Sequence, residues 1–150
     1  MKVAPWLKAH GNEASAIFLW GSLILLTAVA LSKLYASMQE HALLAEPDPI
    51  LPLTIRQVTF GAALLECVIA IAIVRAKDEM WKFAWLAILA GVFLTYRISV
   101  YLLHPPMPCP CLGVLPSLFH LTQQQSDHMA KAILGYWLVG SYFFLIVKRR

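Results

Sequence analysis

The residues with the most distinctive chemistry are Cys109 and Cys111, separated only by Pro110. A disulfide between residues two apart closes a very small ring, so it constrains the unfolded chain little and makes a poor structural staple. Tight or strained disulfides are instead the more oxidising and exchangeable ones. Pro110 limits the backbone between the sulfurs, and Pro105, Pro106 and Pro108 stiffen the approach to them. The spacing therefore suits a redox pair, Cys109 and Cys111 exchanging with the thiols of a partner. A competing use of two cysteines is to ligate a soft metal, completed by His104, Met107 or His120. No second cysteine pair supports that use, and no metal site is assigned. Cys67 differs in kind: it falls inside a long apolar segment, where a thiol is an inert packing group.

Three further ionisable residues, Lys33, Glu66 and Arg97, also lie inside apolar segments. Such groups are costly in hydrocarbon and normally face a partner or a cavity. The simple account is one buried ion pair with Glu66, the cations otherwise extending toward water. The sharper one is a polar pocket below the cysteines, to which Tyr96 adds a hydroxyl. Two cations against one carboxylate would favour a thiolate at Cys109 or Cys111. The same excess of positive charge would suit the head of a quinone, whose reduced anions favour cationic neighbours, although no motif specifies one.

What must position these residues is a membrane bundle. The 150 residues are 60% hydrophobic and 13% charged, too apolar for an ordinary soluble domain. Four segments, about 14–38, 55–74, 79–103 and 127–147, are each long enough as helices to cross roughly 30 Å of hydrocarbon. Backbone groups in lipid must pair within their own segment, so all four are expected to be helical. The expected fold is an all-α integral membrane four-helix bundle in one domain, 1–150. Asn12, Thr54, Asp78 and Ser126 stand where N-caps are wanted, and Thr54-Ile55-Arg56-Gln57 fits a capping box. Prolines at 47, 49 and 52 break the chain after the first span, and the 105–110 run breaks it after the third. Leu115–His120 suits a short interfacial helix.

Charge sets the orientation. With both termini cytoplasmic, that side holds Lys2, Lys8, Arg75, Lys77, Lys82, Lys148, Arg149 and Arg150, while the outer loops hold Arg56 and Lys131. This asymmetry is the positive-inside pattern. It places the Cys-Pro-Cys motif on the periplasmic side of a bacterial inner membrane. The first segment is read as a retained span, since no small-x-small cleavage site follows it. The net charge of +4 sets topology and implies no nucleic-acid partner.

The pattern resembles the MauE/DoxX-like redox-associated membrane proteins. The resemblance rests on four spans, Lys33 late in the first, Gly61-Ala62-Ala63-Leu64-Leu65-Glu66 in the second, and above all Cys109-Pro110-Cys111-Leu112-Gly113. It implies an accessory role in periplasmic thiol chemistry, including disulfide formation in methylamine dehydrogenase maturation. Cys109 and Cys111 would be the redox pair, with Lys33, Glu66 and Arg97 in support. The outer loops lack the second cysteine pair that quinone-linked disulfide relays use, and there is no thioredoxin-like domain. The expected function is thus a thiol–disulfide redox protein of the membrane that needs a periplasmic thioredoxin-like or substrate partner. The alternative is a noncatalytic accessory or assembly subunit of a larger membrane complex.

Overall fold

The computed structural model describes residues 5–39, 42–103 and 120–149. Cys109, Cys111, His104, Met107 and the expected 115–120 helix, save His120 itself, lie outside the described residues. Four long helices make up the described chain: α1 (Pro5–Met38), α2 (Ile55–Arg75), α3 (Glu79–Leu103) and α4 (Gln123–Arg149). Stretches of 21 to 26 residues in each are long and apolar enough to cross a membrane. The protein is a multi-pass membrane protein, as its sequence leads one to expect. The start of α1, the end of α4 and the 75–79 connection fall at one end of the bundle, the termini end. The end of α1, the start of α2, the end of α3 and the start of α4 fall at the other, the loop end.

The helix starts follow local chemistry at two of the four expected positions. Thr54 accepts from the Gln57 backbone N–H at 3.3 Å, and Gln57 Oε1 accepts from the Thr54 N–H at 3.0 Å. This reciprocal pair is the expected capping box. Asp78 Oδ1 likewise accepts from the Met80 N–H at 2.9 Å. The other two expectations are corrected. Helix α1 does not begin at Asn12 but runs through it from Pro5, a residue suited to the first helical position because its missing N–H is not needed there. Helix α4 begins before Ser126, because Thr122 and Gln125 form a second capping box. Ser126 is an interior residue whose N–H bonds to the Thr122 carbonyl.

Helix α1 packs chiefly on α2, and α3 chiefly on α4, so the bundle is two hairpins laid together. At the termini end the seam is aromatic. Phe18 of α1, Phe83 of α3 and Phe144 of α4 are buried, with ring centroids 5.1 to 6.1 Å apart. Gly140 makes this approach possible, since a Cβ there would overlap the Phe18 ring. Lys148 pairs with Glu79 at the rim and stands over the Phe83 ring.

The loop end is closed on one side by residues 46–54. Pro47 and Thr54 form an isolated antiparallel bridge, and Asp48 N–H donates to the Leu53 carbonyl at 2.8 Å. Asp48 Oδ1 accepts from the Ile50 and Leu51 N–H groups, both at 2.9 Å. The proline-rich connection is therefore a compact turn organised by a buried carboxylate.

Candidate functional site

The two hairpins do not meet evenly. From the middle of the bundle toward the loop end, their seam opens into a cavity of about 250 Å³ with contributions from all four helices and from Leu51. Its wall is mostly apolar, and Lys33, Glu66, Tyr96 and Arg97 all form part of it. The four polar residues picked out in the sequence are thus gathered around one space, in a way that span limits alone could not specify.

They are not gathered as one ion cluster. Lys33 is 5% exposed and Glu66 is fully buried, and the Lys33 Nζ donates to Glu66 Oε1. The ammonium also lies 4.6 Å from the centroid of the Phe93 ring, a cation–π contact on the same wall. Glu66 sits about eleven residues into α2, roughly 16 Å along the helix from its start. At that depth an unpaired carboxylate would be prohibitive, and the pairing with Lys33 is what makes it tolerable.

Arg97 takes a different partner. Its guanidinium donates to Asp127 Oδ1 at the start of α4, and Asp127 Oδ2 in turn accepts from Lys131 at 2.6 Å. Tyr96 donates its hydroxyl to Asp48 Oδ2 at 2.5 Å, tying the 46–54 turn to α3. The two cations of the wall therefore have separate carboxylate partners. Asp48 and Asp127, which the reading of the spans left out because they lie at their edges, supply two further carboxylates. Lys33 pairs with Glu66, Arg97 and the exposed Lys131 both pair with Asp127, and Asp48 accepts from Tyr96.

Trp137 of α4 is the wall residue that sequence reasoning missed. It is 2% exposed, and its Nε1–H has no hydrogen-bond partner among the described residues. Glu66 Oε2 is also buried without one. An indole in an apolar helix reads as core, so only the cavity beside it gives the position away. Cys67, next to Glu66, is a free and half-buried thiol. His120 is exposed at the entrance to α4. Among the described residues no three potential metal ligands come together.

The comparison with known families agrees with this architecture. The family described as Methylamine utilisation protein MauE matches residues 12–146, which takes in α2 and α3 whole, most of α1 and α4, and both polar pairs. The chain belongs to the MauE family. No curated protein and no solved structure matches it. As a MauE-family membrane protein, it carries its cavity, its Lys33–Glu66 pair and the Cys-Pro-Cys segment all within the matched region.

Proposed function

We propose that this MauE-family protein is a membrane component of extracytoplasmic thiol–disulfide exchange, acting in an accessory capacity to methylamine utilisation. Cys109 and Cys111 are its redox pair. A thiolate of a periplasmic thioredoxin-like or substrate protein attacks one sulfur of the Cys109–Cys111 disulfide and expels the other as a thiolate, which takes up a proton. A second partner thiol then resolves the mixed disulfide. The partner leaves oxidised, and the motif keeps two electrons and two protons as a dithiol.

The observation that carries this reading is where the polar cavity lies. The motif lies between Arg97 and Asp127 in the sequence, Cys109 twelve residues after the one and Cys111 sixteen before the other, and these two residues pair at the loop end. Cys109 is six residues past Leu103, within about 20 Å of it even for a fully extended chain. The basic residues at the termini end, among them Arg75, Lys77, Lys82 and Lys148, support a cytoplasmic location for that end by the positive-inside rule. The loop end then faces the periplasm of a bacterial inner membrane, where disulfides persist.

Trapping tests the reading. Cys109→Ser and Cys111→Ser each leave one thiol that can form a mixed disulfide but not complete the exchange. One of the two variants is expected to accumulate a covalent adduct with a periplasmic protein, lost on adding dithiothreitol. If neither captures a partner, and both native cysteines are found reduced in the membrane, the exchange reading is wrong.

A further inference from the structure

From the wall of the cavity we infer that it binds the ring of a membrane quinone or its quinol, between the α1–α2 and α3–α4 hairpins. The purpose of such a site rests on the thiol-exchange reading above; the binding itself does not. Four features of the cavity lead to this class of ligand. The first is size. An apolar cavity of roughly 150 Å³ holds a benzene molecule. The present one, at about 250 Å³, has room for a ring with substituents.

The second is access. Leu65 of α2 and Val92 of α3 belong to the cavity wall yet are 38% and 47% exposed on the flank of the bundle. Gly61 is also on the wall and exposed, and a Cβ there would meet nothing within 4 Å. The seam between α2 and α3 is thus open toward the hydrocarbon, the side from which a lipid-soluble ligand arrives.

The third is hydrogen-bonding capacity. The Trp137 Nε1–H is a buried donor without a partner among the described residues. The Lys33 ammonium has three N–H groups, of which one goes to Glu66. Glu66 Oε2 is a buried acceptor without a partner. Buried polar groups left unsatisfied are costly, so the Trp137 donor and the Glu66 acceptor, with the spare N–H groups of Lys33 beside them, suit a ligand that can both accept and donate. Quinone carbonyls accept from Trp137 and Lys33, and a quinol hydroxyl donates to Glu66.

The fourth is charge. Because the cations of the wall are matched by carboxylates, the site favours a neutral polar ring over a fatty acid or phosphate head. A carboxylate ligand would be repelled by Glu66. A quinone also completes the redox balance that the exchange reading leaves open. The Cys109/Cys111 dithiol gives up two electrons and two protons to become a disulfide, and the ring takes both pairs at its two oxygens to become a quinol.

The test uses the full-length protein in lipid nanodiscs and a ubiquinone analogue with a short alkyl tail and a photoreactive azide. Saturable labelling of cavity-wall peptides is expected, competed by the same analogue without the azide. Trp137→Phe keeps the ring and removes one donor, and it should weaken binding about three- to tenfold. Gly61→Leu places a side chain in open space at the seam and should also weaken it. The Cys109→Ser/Cys111→Ser double variant should bind as the wild type does, and loss of binding there would overturn a site built from the helices. Labelling that never saturates, falls on lipid-facing residues such as Ile71 and Val139, or ignores both cavity variants overturns the proposal. If binding is saturable but the reduced protein transfers no electrons to the bound analogue under anaerobic conditions, the site stands and the quinone's role as acceptor for the Cys109/Cys111 dithiol falls, while mixed-disulfide trapping tests the exchange itself.

Discussion

At the termini end, Phe18, Phe83 and Phe144 fill the seam between the hairpins with stacked and tilted rings. At the loop end the same seam holds Lys33, Glu66, Tyr96 and Arg97 around a cavity. Helix–helix association in lipid lacks the hydrophobic drive it has in water, and it depends on close packing and on interhelical polar contacts. This bundle weights the two mechanisms differently at its ends, although the Lys148–Glu79 pair adds a polar contact at the rim of the aromatic one. Close packing at one end holds the hairpins in register. Directional polar contacts at the other then fix the helices while leaving space between them. A seam packed with rings along its whole length would hold nothing else, and one polar along its whole length would be expensive in the bilayer.

The largest effect is expected where a charge would lose its partner. Glu66→Ala leaves the Lys33 ammonium buried and unpaired at a cost of about 3–5 kcal/mol. Thermal unfolding in detergent should show a large drop in Tm. The double variant Lys33→Met/Glu66→Leu should recover most of it, because replacing a buried pair with apolar side chains is often neutral or stabilising. If the double variant is as unstable as Glu66→Ala, the loop end is held by something other than this pair.

Gly140→Ala probes the other end. The added methyl collides with the Phe18 ring, which is buried among other rings and has little room to retreat. Overpacking of this kind costs about 1–3 kcal/mol. The same thermal assay should register it, with binding at the loop-end cavity unchanged. A smaller loss, about 1 kcal/mol, is expected for Tyr96→Phe, which deletes one hydrogen bond to Asp48. Asp48 keeps its two backbone donors, so the 46–54 turn should survive. Faster hydrogen exchange confined to that turn would be the sign that its tie to α3 has been cut.

The two ends were not equally legible in the sequence. Four apolar stretches, a capping box at Thr54 and the breaks at proline are local signals, and each reads directly as an element. Lys33 and Glu66 stood out because a charge in an apolar run is conspicuous. Their pairing depends on how α1 and α2 are rotated, which span limits do not fix. Asp48 and Asp127 were invisible as site residues, since a carboxylate in a connection or at a helix start is ordinary until a Tyr96 or an Arg97 reaches it. Phe18, Phe83 and Phe144 look like lipid-facing residues by composition, and only their packing on one another, with Phe18 against Gly140, sets them inside. Trp137 gave no signal for a different reason, since an indole in an apolar helix reads as core and only the cavity beside it marks the position. The start of α4 was displaced because Thr122 and Ser126 are both plausible caps; the Gln125 side chain, three residues after Thr122, decides between them.

The sharpest form of the comparison needs only one substitution made twice. Gly61→Ala and Gly140→Ala add the same methyl to the same kind of helix. At Gly140 that methyl meets a ring and destabilises. At Gly61 it meets nothing within 4 Å, so only the helix itself responds. Alanine restricts the unfolded backbone more than glycine does and is the better helix former, by up to about 1 kcal/mol in a helix interior. Gly61→Ala should therefore raise Tm slightly or leave it unchanged, while Gly140→Ala lowers it. Opposite signs at the two glycines would mean that the seam is closed at one end and open at the other. If Gly61→Ala destabilises as much as Gly140→Ala, something occupies the α2–α3 flank, and the route into the cavity from the membrane does not exist.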